Sequence, residues 1–125
     1  MATSVRFEIF AGDLDATVDF YTRVLGFTLV LDRRRQTPGY VSLERDGVRI
    51  GATTVLGPGR AEHRRPPTGV EVVLEVDDVR AELARVREAQ WPLEEGLVER
   101  EWGLRDFRVL DPGGYYLRLT ERGAS

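Results

Sequence analysis

Residues 5–27 read VRFEIFAGDLDATVDFYTRVLGF, and this stretch decides the fold. Apolar and polar side chains alternate over residues 5–10, which predicts a β-strand with two different faces. Apolar side chains then recur at helical spacing over residues 14–25, where Asp13 can cap the N-terminus and Gly26 suits the left-handed position after the last turn. The stretch therefore predicts one strand followed by one helix.

The next segments predict three further strands and a loop. The strands cover residues 27–32, 40–45 and 48–55, and the last two flank Asp46-Gly47, which is a strong hairpin signal. Residues 57–69 contain three prolines and three glycines, so we expect a long exposed loop there.

The same order of elements then begins again. Strands are predicted over residues 70–76, 93–101, 106–110 and 115–120, with a helix over residues 79–89 that follows Asp77-Asp78. Shifting the chain by 65 residues superposes Asp13 on Asp78, each between a strand and a helix. We therefore predict an α+β fold in which two βαβββ modules form a cupped mixed sheet.

The size of the repeat bears on the domain organisation. A repeat of about 60 residues buries too little apolar surface to be more than marginally stable alone. We therefore expect a single domain over residues 1–125, made of module one (1–56), a linker loop (57–69) and module two (70–125). The modules should share a core or pair with those of another chain.

The composition excludes many kinds of functional site. The 125 residues include 18 basic side chains, all arginine, 21 acidic side chains, one histidine and no cysteine. Disulfides, thiolate metal sites and sites that need two histidines are therefore excluded. The formal charge of −3 offers no general attraction for nucleic acid, and no apolar run approaches the roughly 20 residues that cross a bilayer. Because a signal-peptide pattern is also lacking, we expect a cytoplasmic protein with no nucleic-acid or membrane partner.

Three short motifs mark junctions between the predicted elements. They are Phe20-Tyr21-x-x-Val24-Leu25-Gly26-Phe27, Val76-Asp77-Asp78-Val79 and Asp111-Pro112-Gly113-Gly114-Tyr115. Together with the two βαβββ units, they resemble the vicinal oxygen chelate superfamily, which contains glyoxalases, bleomycin-resistance proteins and ring-cleaving dioxygenases. The motifs close a helix onto a strand or make a hairpin, so they indicate the fold more strongly than the function.

The resemblance also implies where a metal would lie. In the enzymes of this superfamily, a divalent cation sits in a cup lined by both half-sheets, held by His, Gln or Glu on the first and last strands of each half. Alignment places Arg6, Glu71 and Arg118 at three of these positions and Gly51 near the fourth. Arginine stays protonated and has no lone pair to donate. We therefore expect no metal or other cofactor, and a salt-bridged network in which Arg6 and Arg118 flank Glu71.

Members of the superfamily without a metal suggest a ligand. They include the bleomycin-resistance-like proteins, which sequester antibiotics and act as dimers with drug grooves at the subunit interface. The segment Trp102-Gly103-Leu104-Arg105-Asp106-Phe107 resembles part of these proteins. The resemblance implies a homodimer that binds a small planar or cationic antibiotic without catalysis. The predicted ligand contacts are the aromatic Trp102, Phe10 and Tyr116 and the charged Glu8, Glu71, Arg6 and Arg118.

Other interpretations stay open. Trp102 would also be suited to filling the opening of the barrel with no role in binding. Glu8, Glu71 and Glu75 would equally suit a solvent-exposed sheet face with no ligand. A metal-dependent lyase, isomerase or dioxygenase would need a different ligand set, such as a cluster of Glu8, Glu71 and Glu75. A metal-free enzyme could use Glu8 or Glu71 as general base, because a carboxylate in a partly apolar cup can have a raised pKa. A structural subunit with no small ligand is the third alternative.

Overall fold

The computed structural model describes residues 2–55, 69–101 and 103–122. The chain divides into two compact units, Met1–Arg60 (unit one) and Ala61–Ser125 (unit two). Each unit has its own four-stranded sheet and its own helix. Nearly all of the predicted loop over residues 57–69 lies outside the described residues, as does Trp102.

Unit one has the order strand, helix, strand, strand, strand. Its elements are β1 Phe7–Phe10, α1 Leu14–Asp19, which continues as a π-helical turn over Phe20–Val24, β2 Thr28–Arg33, β3 Tyr40–Arg45 and β4 Val48–Thr53. The sheet order is β1-β4-β3-β2, with β1 parallel to β4 and the other pairs antiparallel.

One face of this sheet is apolar and packs against the helix. The face contributes the buried side chains of Ile9, Val41, Leu43, Ile50 and Ala52, and the helical segment contributes Leu14, Phe20, Tyr21 and Val24. The Tyr21 ring lies edge-on to those of Phe20 and Phe27, with centroids 5.0 and 5.5 Å away. Because strand side chains alternate, the opposite face is left to polar groups and to Phe10.

Unit two repeats this order. Its elements are β5 Val72–Val76, α2 Val79–Glu88, β6 Glu95–Glu99, β7 Arg105–Leu110 and β8 Tyr116–Glu121. The sheet order is β5-β8-β7-β6, with β5 parallel to β8. The core of the unit consists of Leu74, Val76, Val79, Leu83, Val86, Phe107, Val109, Leu117 and Leu119. Phe107 is fully buried on the face that meets α2.

The α+β class with two βαβββ modules is confirmed, and each module carries a four-stranded mixed sheet. Several predicted strands were too long. The strand predicted over residues 5–10 begins at Phe7, where pairing with β4 starts, and Val5 is 64% exposed. The strand predicted over residues 93–101 is shortened to Glu95–Glu99, because its ladder with β7 extends no further.

Helix starts agree with the sequence in both units. The Asp13 carboxylate accepts a hydrogen bond from the Ala16 amide at 3.0 Å, and Asp78 accepts one from the Ala81 amide at 3.1 Å. Gly26 has a φ of 74°, as predicted for the position after the helical segment. Among the described residues, neither helical segment has the length and hydropathy of a bilayer crossing.

Candidate functional site

The sheet face of unit one that lies opposite the helix carries a small polar network. The Tyr40 hydroxyl donates a hydrogen bond to Oε1 of Glu8 at 2.9 Å, and the Arg6 Nε lies 2.5 Å from the same oxygen. Glu8 pairs in register with Gly51 of β4, which in turn pairs with Ser42 of β3. Two of the predicted contact residues, Arg6 and Glu8, are therefore bound to each other.

Gly51 is the residue that makes room for this network. A Cβ atom at this position would lie 2.6 and 2.7 Å from the two carboxylate oxygens of Glu8, and closer still to the Tyr40 hydroxyl. Real Cβ atoms do not approach other atoms this closely. Gly51, which the resemblance places near a metal-ligand position, therefore lies directly beneath the Tyr40–Glu8 hydrogen bond.

The environment of Tyr40 favours its neutral phenol. Burial raises the pKa of Tyr40 above its ordinary value, and the hydrogen bond and negative charge of Glu8 raise it further. Tyr40 therefore remains a donor to Glu8 across the neutral pH range. Phe10, another predicted contact, is half-buried on the same sheet face, two residues after Glu8 on β1.

The corresponding face of unit two carries paired arginines. Arg118 of β8 stands directly opposite Arg108 of β7, and Arg108 stands opposite Glu95 of β6. The Glu71 carboxylate lies 3.4 Å from Arg118 Nη2 and 3.7 Å from Arg108 Nη2. Contact between Glu71 and Arg118 was predicted, whereas the position of Arg108 was not. Within unit one, Arg6 forms an ion pair with Glu8.

A third arginine on this face holds a buried carboxylate. Asp106 of β7 is fully buried, and its Oδ1 accepts a hydrogen bond from Arg100 Nε at 2.8 Å. Arg100 also forms an ion pair with Glu95. The hydrogen bond to Asp106 is the main reason that the pKa of Arg100 lies above its ordinary value. Sequence reasoning missed this pair. The charged residues at positions 105–108 fit the polar face of a strand, and nothing in the sequence indicates which arginine pairs with Asp106.

Tyr116 is the aromatic contact that the structure places near these charges. Its half-buried ring has the Arg108 guanidinium 5.6 Å above its centroid, a distance typical of cation–π contact. Trp102, the remaining aromatic candidate, lies outside the described residues. Trp91, the other tryptophan, donates its indole N–H to the Leu110 carbonyl at 2.8 Å.

The residues at the family's metal positions do not fit a divalent cation. Arg6 and Arg118 cannot donate a lone pair, Gly51 has no side chain, and the one carboxylate, Glu71, already faces two guanidinium groups. Within the described ranges, no three His, Asp or Glu side chains are grouped so that they could hold a metal. Glu75, part of the alternative ligand set, is exposed.

Unit one also has an open cleft beside the start of α1. Its volume is about 850 Å³, and its lining includes Asp13, Asp15, Asp32, Arg34 and Arg35. Arg34 spans the cleft, with nitrogens 2.7 Å from Asp32 and 3.1 Å from Asp15. Hydrogen bonds from Arg34 lower the pKa of Asp32. The charges of this cleft are thus largely paired with one another, and its described lining includes no predicted contact residue.

Comparison with known proteins places the chain in a family. Residues 3–119 match the family model described as Glyoxalase/Bleomycin resistance protein/Dioxygenase superfamily. Among curated proteins, none matches the chain. Among solved structures, TioX from Micromonospora sp. ML1 is similar, with 25% identity, a TM-score of 0.76, and coverage of 96% of this chain and 98% of that one.

Two further structures share the fold at lower identity. TnmS3, an antibiotic binding protein from Streptomyces sp. CB03234, is 21% identical with a TM-score of 0.70, covering 98% of each chain. The bleomycin resistance determinant encoded on the transposon Tn5 is 20% identical with a TM-score of 0.71, covering 98% of this chain and 100% of its own. By its family match over residues 3–119, this chain belongs to the Glyoxalase/Bleomycin resistance protein/Dioxygenase superfamily.

Proposed function

We propose that this protein binds a small-molecule antibiotic without a metal and without catalysis, and so sequesters it. The observation that carries the proposal is the contact between Arg118 and Glu71, 3.4 Å apart, at two of the family's metal positions. A guanidinium group in that place repels a divalent cation and cannot ligate one. The fold shared with TnmS3 and with the Tn5 bleomycin resistance determinant supports the choice of an antibiotic.

The proposed contacts are those expected from the sequence. Trp102, Phe10 and Tyr116 supply flat apolar faces for a planar ligand, and Arg6, Glu8, Glu71 and Arg118 supply the charged groups. The proposal treats residues 1–125 as one binding domain that acts as a cytoplasmic homodimer. A cationic ligand would have to compete for Glu8 and Glu71, since each already faces an arginine.

Tryptophan fluorescence tests the proposal. The two tryptophans are Trp91, which is tied to Leu110, and Trp102, the proposed contact. Titration of a Trp91→Phe variant with bleomycin should give a saturable change in the emission of Trp102. A matched Trp102→Phe variant, which keeps Trp91, should show little change. Absence of any response up to high micromolar drug contradicts bleomycin-type antibiotics as ligands.

The rival function is an enzyme of the same superfamily. The candidate general base Glu8 holds Tyr40 and Arg6 at its Oε1, so a substrate proton would have to be taken by Oε2. A metal enzyme would be stabilised by its ion, because a ligand that binds only the folded state raises Tm. We expect Zn²⁺, Mn²⁺ and Fe²⁺ to leave Tm unchanged, and stoichiometric divalent metal in protein purified without chelators would contradict the proposal.

A further inference from the structure

The paired arginines of unit two stand in an unusual arrangement. Arg108 and Arg118 are directly opposite each other on neighbouring antiparallel strands, and both project from the sheet face opposite α2. Like charges at directly opposite positions destabilise a sheet. Among the described residues, Glu71 is the only carboxylate within 4 Å of both arginines, and the other neighbour of Arg108, Glu95 at 3.8 Å, is also engaged by Arg100.

The contacts of this pair leave hydrogen-bonding capacity unused. The distances to Glu71 are 3.4 and 3.7 Å, longer than the roughly 2.7–2.9 Å of a charge-assisted hydrogen bond. The Nε atoms of both arginines are buried and have no hydrogen-bond partner among the described residues. A buried donor without an acceptor is costly, so the pair favours an acceptor supplied from outside the described residues.

We infer that the ligand is a planar ring that carries an oxyanion. The oxyanion accepts hydrogen bonds from both Arg108 and Arg118, and the ring lies near Tyr116. Guanidinium groups bind carboxylates and phosphates through two parallel hydrogen bonds, so adjacent arginines suit this chemistry. The Tyr116 ring, already 5.6 Å from the Arg108 guanidinium, gives an aromatic surface next to the charge. This inference rests on the proposed function and reverses the cationic ligand expected from the sequence.

Unit one shows the contrast. There the Arg6 guanidinium lies 2.5 Å from the Glu8 carboxylate, which also accepts from Tyr40. Arg6 is therefore already neutralised at close range. To be neutralised as closely, Arg108 and Arg118 in unit two need an acceptor within hydrogen-bond distance. An anionic group of the ligand supplies this acceptor.

A set of probes with one ring and different charges tests the inference. Calorimetric titrations would compare 2-naphthoate, 2-naphthyl phosphate, neutral 2-naphthylmethanol and cationic 2-naphthylmethylammonium. We expect at least one anion to bind about tenfold or more tightly than the neutral and cationic probes, and the better anion identifies a carboxylate or a phosphate. Equal binding of all four overturns the inference and leaves the proposed function standing. Binding of none overturns the inference, and the bleomycin titration then decides the proposed function separately.

Variants locate the binding. Arg118→Gln and Arg108→Gln should each weaken the preferred anion about tenfold, a clearly larger loss than for 2-naphthylmethanol. Arg87→Gln, which removes the same charge from the exposed surface of α2, is the matched control and should bind like the unchanged protein. Loss of anion affinity in the control as well would overturn the inference, because it would indicate a general charge effect.

A measurement on the unchanged protein covers the case in which a variant fails to fold. In ¹⁵N-arginine-labelled protein, the anion should shift two Nε–Hε resonances, those of the buried and unpartnered groups, and the ammonium probe should shift neither. Anion binding with no change at any arginine Nε–Hε resonance would overturn the inference.

Discussion

Gly51 shows how one missing side chain organises a sheet face. A methyl group here would push apart Glu8 and Tyr40, whose polar atoms lie over the Gly51 Cα. Gly→Ala in a strand usually favours folding, but here the new Cβ would displace the ends of the Tyr40 and Glu8 side chains and so break the hydrogen bond between them. We therefore expect Gly51→Ala to lower the free energy of unfolding by about 1 kcal/mol, measured by urea denaturation. In a Tyr40→Phe background, which removes the closest atom, part of that loss should disappear.

The chain offers a control for this substitution. Gly47 lies in the β3–β4 hairpin of the same unit, and a Cβ there meets nothing within 4 Å. Gly47→Ala should therefore change stability by no more than about 0.5 kcal/mol. If Gly51→Ala proved equally harmless, the packing of Tyr40 and Glu8 over Gly51 would not be a rigid feature of the protein.

The titration of Tyr40 gives a second prediction at this scale. Its folded pKa is raised by burial and by Glu8, so the folded protein keeps the phenolic proton above the ordinary pKa of about 10. The stabilisation is fully present below pH 10 and is lost as the pH rises through the raised value. The absorbance difference at alkaline pH between the unchanged protein and Tyr40→Phe should show one tyrosine that ionises above pH 10. An ordinary midpoint would contradict the hydrogen bond to Glu8.

Single residues also show how far sequence could predict the candidate site. Alignment with the family's metal positions was enough to bring Glu71 to Arg118, because in the family those positions face one another. It could not reveal Arg108, since the pairing of β7 with β8 depends on register across the hairpin. The predicted roles of Trp102, Phe10 and Tyr116 in ligand binding stay predictions.

At the scale of elements, the two helices end differently. The residue after the helical segment of unit one is left-handed Gly26, with a φ of 74°. The residue that takes this conformation after α2 is Gln90, with a φ of 58°. A side chain other than glycine pays about 1 kcal/mol in this conformation. Gln90→Gly should therefore raise the free energy of unfolding by about 0.5–1 kcal/mol, which a shift in the urea midpoint would measure.

The reciprocal exchange is the matched control. Gly26→Gln places the same side chain in the same backbone region of unit one and should lower stability by a similar amount. A gain of stability in Gly26→Gln, or a loss in Gln90→Gly, would mean that other contacts at these helix ends outweigh backbone conformation.

The type of each element could be predicted from the sequence, whereas its exact ends and its local helical geometry could not. Capping aspartates and apolar periodicity identified both helices, because these signals act over a few neighbouring residues. The π-helical turn over Phe20–Val24 was not foreseen, since the same apolar residues suit a regular α-helix. Its Leu25 amide bonds back to the Phe20 carbonyl at 3.3 Å, which widens the last turn. Strand ends were missed where pairing with the neighbour stopped before the apolar pattern did.

At the scale of the whole molecule, the repeat is visible in the order of strands. The sheets follow the orders β1-β4-β3-β2 and β5-β8-β7-β6, which become identical when each strand of unit two is matched with its counterpart in unit one. Each sheet therefore begins and ends with the same kind of edge strand. An edge strand presents unpaired backbone groups and is a natural place for association.

Apolar side chains in and beside these edge strands favour association with a second copy. Val30 on β2 is 50% exposed, Phe7 on β1 is 38% exposed, and Val70, just before β5, is 73% exposed. Burial of such side chains stabilises a complex by roughly 25 cal/mol per Å² of apolar surface. We therefore expect sedimentation equilibrium to give twice the 14.1 kDa of one chain, and Tm to rise with protein concentration. A single species of one-chain mass across the micromolar range would contradict the homodimer.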